Sequence, residues 1–466
     1  MFPAPLSRAP RGRPRLIAMI ARWGSARVTL LMLLLGLVLR IRGAYSDITQ
    51  LYFRDALWRH PLPYVDYPLE YPVLVGGLVW LAGSFHHVVP YFCVTAALLI
   101  GAGLLTVRLG AQFAGANLWV FALAPALPLY VVLNWDMLGV ALTVATLLAL
   151  RRDRDGLAGL LLALAVWTKF FPLVILPLAV WDRLLRRRPR DAGRLVGVFS
   201  LVGVAVNATV ALVHGPDGWA LRAGWLHFFR FNRDRPLELN VWNLLARWGP
   251  TTAQINAASA LLLVLGLVVL ALLLAVVRRR DGARAGDLLL PATLAALGWW
   301  FFVNKVYSPQ YSLWLIALLA LAGVPARLGA AFAGIDAGYY VASFIALRLG
   351  LQGRPATGWW LDRVLLPAMV LREAAILVMI LWGVRRLYDG AANGGDPARR
   401  GHTAAGAALP VYWGNVPTPP SAGIPGSREA VAAVTGRRGA SADRSAHRAR
   451  VPRRGHRRRG GGYPPP

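Results

Sequence analysis

The chain holds one cysteine in 466 residues, Cys93, which excludes a disulfide framework and a thiolate metal site. Cys93 sits in an apolar run and reads as a small packing residue. There is no HExxH, no CxxC and no P-loop, so the sequence offers no metal signature and no nucleotide-phosphate cradle. Acidic residues are scarce, 21 against 51 Lys and Arg, and charged residues of both signs make up only 15% of the chain. A soluble domain carries about 25%. Lysine is rarer still: only Lys169 and Lys305 occur, and every other basic residue is arginine. No repeat of fixed period is present.

What is abundant is apolar. Hydrophobic residues make up 57% of the chain, in long runs from residue 28 to residue 384. The pattern is that of an all-α polytopic membrane protein, built by packing spans against each other. The formal net charge of +30 does not point to nucleic acid. Most arginines fall in short runs between apolar segments or in the tail, as the positive-inside rule requires.

The N-terminus, residues 1–25, carries Arg8, Arg11, Arg13, Arg15 and Arg22, with Arg27 next. No small-residue cleavage site follows, so this end reads as a cytoplasmic signal anchor. Basic clusters at 8–27, 151–154, 183–194, 278–284 and 385–386 punctuate the rest. Placing them all on the cytoplasmic side predicts about twelve spans with both termini inside. These are 26–42, 90–108, 117–133, 136–150, 157–169, 170–185, 194–214, 257–277, 287–304, 309–325, 328–347 and 364–384. The segment 157–185 reads as a hairpin turning at Thr168–Pro172, because both of its flanks are strongly basic. Residues 72–88 are apolar enough to span. A span there would export 151–154 and 183–194, so the segment is expected to lie in the outer interface with Trp80, His86 and His87 at headgroup level. Residues 385–466 are expected to be a disordered basic tail, rich from 390 in Gly, Pro, Ala and Arg. The run RVPRRGHRRRGGG at its end suits anionic lipid or plain solvation.

With this topology, loops 43–89, 215–256, 304–310 and 348–363 share the outer face. The first holds Asp47, Asp55, Asp66 and Glu70, four of the 21 acids, among Pro61, Pro63, Pro68 and Pro72. Asp47 stands just beyond the first span. A carboxylate there can accept a hydroxyl proton, or it can cap a helix or pair with Arg42 or Arg54. Asp55 reads as an ion-pair partner of Arg59. Asp66, Glu70 and Tyr71 can support an acceptor hydroxyl or form a structural turn. Lys169, in WTKFFP, and Lys305, in NKVYSPQYSLW, both fall on this face. An ammonium suits a phosphate as a point charge, or it snorkels from a helix end. His227, Arg230, Arg233 and Arg235 add basic charge where the rule makes it scarce, which suits a lipid phosphate or general headgroup contact. Trp219, Trp225, Trp242 and Trp248 form an interface belt or stack on sugars. Asn134–Trp135–Asp136 lies at a further outer turn, where Asp136 is a site candidate or an N-cap.

A basic N-terminus, one span, an outer loop with an early Asp and a later EYP run, then WTKFFPLVILP and NKVYSPQYSLWL, resembles the GT-C class of membrane glycosyltransferases. Within it the chain resembles glycosyltransferase family 87, polyprenol-phosphate-mannose-dependent α-mannosyltransferases, over roughly residues 28–384. The resemblance implies a GT-C-like bundle of about twelve helices with an interfacial helix and large extracytoplasmic loops. It implies Asp47 as base, and it aligns Glu70–Tyr71–Pro72 with the proline-rich run before the interfacial helix. Val73 stands where many members have a second proline. It also implies a plasma-membrane hexosyltransferase whose partners are a polyprenyl-phosphate sugar donor, a glycolipid or glycan acceptor and membrane lipids. Lys169, Lys305, His227, Arg230, Arg233 and Arg235 are expected at the donor phosphate, and Tyr307, Gln310 and Tyr311 at sugar or lipid. No cofactor is evident and no metal ligand set is visible, although phosphate leaving groups often use a divalent cation. The rival readings are a lipid or small-molecule transporter and a non-catalytic scaffold for envelope synthesis.

Overall fold

The computed structural model describes residues 13–213, 224–238, 240–281, 287–354 and 358–392. The basic segment before residue 13, Trp219 and the tail beyond residue 392 lie outside the described residues. Helix is the only extended secondary structure among those described; the two β-bridges, Pro63 with Tyr67 and Glu238 with Val306, are isolated.

The helices in chain order are α1 (Arg13–Ile41), α2 (Asp47–Arg54), α3 (Val73–Gly83), α4 (Val88–Gly110), α5 (Leu118–Ala122) and α6 (Ala126–Tyr130). Next come α7 (Asp136–Arg151), α8 (Asp155–Thr168), α9 (Ile175–Leu185), α10 (Pro189–Val213), α11 (His227–Asp234) and α12 (Thr252–Asp281). The last are α13 (Leu289–Val303), α14 (Ser312–Leu321), α15 (Ala326–Leu351), α16 (Gly358–Trp360) and α17 (Leu366–Ala392), the last two joined by a π-turn at Leu361–Leu365.

Six helices are long and apolar enough to cross a membrane: Gly24–Ile41, Val88–Gly110, Pro189–Val210, Thr252–Arg280, Ala326–Gly350 and Gly358–Asp389. Only 17–33% of each span is buried, so most of their surface is left for lipid. The protein is therefore a helical membrane protein. The other expected spans are shorter. The stretch 117–133 is not one helix: it breaks at Pro125, whose ring interrupts the helix between α5 and α6. Helices α7, α8, α13 and α14 have 16, 14, 15 and 10 residues. At about 1.5 Å per residue none reaches 30 Å. They form the interior instead, and all ten residues of α14 are buried. Ends of helices at such depth are tolerated where protein or a water-lined cavity meets their free backbone groups.

Segment 157–185 does turn back on itself. Helix α8 stops at Thr168, Lys169 is extended, and a 3-10 turn at Phe171–Val174 opens into α9. The far ends of α8 and α9 meet again, because Arg183 Nε donates to Asp155 Oδ1 at 2.7 Å. That contact belongs to an ionic network. Arg183 also reaches Asp182 and Asp153, Arg188 reaches Asp153, and Arg278 donates to Asp182 at 2.8 Å. The arginine runs at 151–154 and 183–194, and Arg278, thus share one end of the bundle. Helix α3, with 11 residues, spans about 16 Å, far too little to cross a bilayer. Cys93 differs from expectation: it lies on the exposed face of α4 rather than in the core.

Candidate functional site

At the opposite end from the arginine network, interrupted helices surround a cavity of about 620 Å³. Five helical segments begin at its wall: α2 at Asp47, α3 after Pro72, α7 beside Asn134, and the two 3-10 turns that start at Phe171 and Pro309. Free N–H groups and the positive ends of helix dipoles favour an anion in such a place.

The structure brings Asp47, Glu70, Tyr71, Lys169, Arg235, Lys305, Gln310 and Tyr311 to this one cavity. They come from five separate segments. Asp47 is fixed by its backbone N–H, which donates to Leu133 O at 2.9 Å, and by Asn134 Nδ2, which donates to its Oδ2 at 2.8 Å. The Tyr45 hydroxyl also reaches its carboxylate. Burial pushes the Asp47 carboxyl up from the ordinary range, and the hydrogen bonds from Asn134 and Tyr45 and the charge of Lys169 oppose that push.

Charges lining the cavity are mostly spoken for. Glu70 accepts two hydrogen bonds of 2.7 Å from Arg54, which also holds Asp55. The partner of Asp55 is therefore Arg54, its chain neighbour, and not Arg59. Arg235 makes two bonds of 2.6 Å to Glu238. Lys169 Nζ lies 3.1 Å from Asp136 Oδ2 and 5.0 Å from the centre of the Tyr71 ring. Asp136 is fully buried, and its other oxygen accepts from Trp314 Nε1 at 2.9 Å. Gly139 makes that indole's approach feasible: a Cβ there would sit 2.6 Å from the Trp314 ring. Lys305 is 4% exposed, donates to the Arg233 carbonyl, and has no carboxylate partner among the described residues. Burial pulls its pKa down, opposed by Asp234. Among the described residues that line the cavity, Asp47 is then the one carboxylate without a cation, and Lys305 the one cation without a carboxylate.

Other expected residues lie elsewhere. Asp66 Oδ2 accepts from Leu62 N at 2.6 Å and closes its own turn, as Pro68 keeps it out of a helix. Tyr307 is buried behind the cavity wall, because Arg372, itself fully buried, lies 3.9 Å from both its ring and that of Tyr339. His227 packs on Phe231, and Arg233 pairs with Asp234 at the surface. Neither these nor the exposed Arg230 lines the cavity. Trp225 donates to Asn207 and Trp242 to the Val303 carbonyl, so these two indoles hold loops down.

Sequence reasoning left out Tyr45, Gln50, Asn232 and Glu238, and an aromatic wall of Phe170, Phe171, Phe228, Phe229 and Trp300. Glu238 had a readable signal, an acid three residues after Arg235. The Asn134 contact had none, since 87 residues separate it from Asp47. Compared with known families and with curated proteins, the chain matches no family model and no curated protein.

Proposed function

We propose that the protein is a membrane hexosyltransferase of the GT-C type that moves a sugar, mannose in the first instance, from a polyprenyl phosphate to a glycolipid or glycan. The observation that carries this is that, among the described residues lining the cavity, Asp47 is the one carboxylate without a cation and Lys305 the one ammonium without a carboxylate. Asp47 takes the proton of the acceptor hydroxyl as its oxygen attacks the anomeric carbon. The bond from that carbon to the phosphate oxygen breaks, and polyprenyl phosphate leaves with the electron pair. Lys305 meets the charge that develops on the phosphate, aided by the helix N-termini at the wall. A carboxyl pushed up by burial is a stronger base toward a hydroxyl proton. The aromatic wall suits an apolar lipid chain. Both termini in the cytoplasm and the cavity outside at the plasma membrane complete the reading.

Membranes containing the protein, given labelled polyprenyl-phosphate-mannose, should transfer label to an endogenous glycolipid or glycan. Asp47→Asn should abolish that transfer while the protein remains folded and inserted. Full transfer by that variant would remove the assignment. A transporter is favoured by one observation, the two helix pairs interrupted at the cavity. Movement of labelled lipid without sugar transfer would favour it.

A further inference from the structure

Asn134 is 2% exposed, and both polar atoms of its side chain are engaged. Its Nδ2 donates one hydrogen to Asp47 Oδ2 at 2.8 Å and the other to Tyr71 Oη at 3.0 Å. Its Oδ1 accepts from Trp135 N at 2.6 Å. That last bond fixes which end of the amide is nitrogen, because a reversed amide would set two donors against each other. Trp135 is 1% exposed and packs edge-on against Tyr71 at 5.1 Å, so the segment cannot swing away.

The amide imposes opposite polarities on two neighbours. Asp47 is held as an acceptor. Tyr71 Oη is already accepting, so its own hydrogen must point elsewhere, and no acceptor for it occurs among the described residues. Tyr71 and Asp47 both line the cavity. The hydroxyl hydrogen of Tyr71 is thereby left available to a group in the cavity.

We infer that Asn134 is a positioning residue that aims the Asp47 carboxylate and turns the Tyr71 hydroxyl into a hydrogen-bond donor toward a substrate oxygen beside it. This rests on Asp47 being the base. A hydroxyl-bearing substrate then meets an acceptor and a donor side by side. Asp47 takes the proton of the attacking hydroxyl, while Tyr71 donates to a neighbouring oxygen on the same sugar and fixes which hydroxyl reacts. The groups that face Asp47 from the surrounding elements are Tyr45, Tyr71, Asn134, Lys169 and Asp136. Of these Asn134 lowers its proton affinity most, so losing the amide should raise it further.

Three variants test this in membranes supplied with labelled polyprenyl-phosphate-mannose: Asn134→Ala, Asn134→Asp and Tyr71→Phe. Transfer by either Asn134 variant should fall about 100-fold, the cost of a misplaced reacting group. The acid limb of the pH profile should move to higher pH, since the base must be ionised and its pKa has risen. Tyr71→Phe keeps the ring under Lys169 and should lower transfer about tenfold without moving the acid limb, consistent with one lost hydrogen bond of about 1.4 kcal/mol. A readout independent of transfer is labelling of Asp47 by dicyclohexylcarbodiimide, mapped by peptide mass across pH. The midpoint should rise in Asn134→Ala and stay in Tyr71→Phe. Melting of each variant in detergent separates misfolding from mispositioning. An unmoved labelling midpoint in a folded Asn134→Ala, or wild-type transfer by it, overturns the inference. An active Asp47→Asn overturns the reading beneath it instead.

Discussion

The two lysines sit in turns of the same design and do different things. In each, an apolar helix of 14 or 15 residues ends in extended backbone, and a 3-10 turn with proline in its first two positions starts the next helix. Lys169 finds Asp136 on a third helix and is neutralised. Lys305 finds only a carbonyl. The difference lies in the neighbours, since the turns themselves match. Helix α7 brings a buried acid to the first turn, whereas the 224–250 loop brings backbone to the second: Glu238 N donates to Lys305 O, and Tyr307 N to Glu238 O. A pairing made for stability leaves a lysine spent, and one made through backbone leaves it free to meet a ligand.

The contrast is broken most forcefully at Lys169. Lys169→Met would leave Asp136 buried and uncompensated, at a cost of about 3–5 kcal/mol. A large drop in melting temperature in nanodiscs should follow, and Asp136→Leu in the same chain should restore most of it. An unchanged melting temperature in the single variant would mean that the pair does not hold the fold. Lys305→Met should do the reverse. Its stability should change by about 1 kcal/mol, while transfer from polyprenyl-phosphate-mannose falls about 100-fold, as when one preorganised donor to a developing anion is removed.

A smaller effect sharpens the same point. In the proposed role only a charged Lys305 would hold a phosphate, so transfer should be lost as pH rises through its pKa. Burial lowers that pKa. The alkaline limb should therefore begin below the ordinary lysine value of about 10.4, and Lys305→Arg should remove it. The smallest effect concerns metal. A hard divalent cation wants several free oxygens, and Glu70 and Glu238 are each held by two arginine hydrogen bonds. A chelator should alter transfer by less than about twofold; strong inhibition, reversed by one cation, would show that those pairs open.

Charge placement was the legible part of the sequence. Among the described residues, the arginine runs at 151–154 and 183–194 and Arg278 share one end of the bundle, and the two lysines, Asp47 and Glu70 line the cavity at the other. Rarity made this readable: with two lysines and 21 acids, each position outside an arginine run carries information. Pairing was the illegible part. Asp136 and Lys169 are 33 residues apart in sequence, and Tyr307 reads as a wall residue until Arg372, on a distant helix, claims its ring. Length misled in a different way. Apolar runs of 14–16 residues look like spans cut short, yet they are largely buried helices with one end at the cavity wall.

Those short helices bear on membrane voltage. Helix α8 runs from the arginine network to the cavity floor in 14 residues, about 21 Å, where hydrocarbon is about 30 Å thick. Water standing in the cavity would bring the conducting phase down to Lys169, leaving roughly two thirds of the insulator beneath it. The membrane potential would then drop more steeply under the floor than elsewhere. A phosphate descending to Lys305, or a proton arriving on Asp47, would cross part of that field, so the energised state of the membrane would weigh on how deeply an anionic substrate sits.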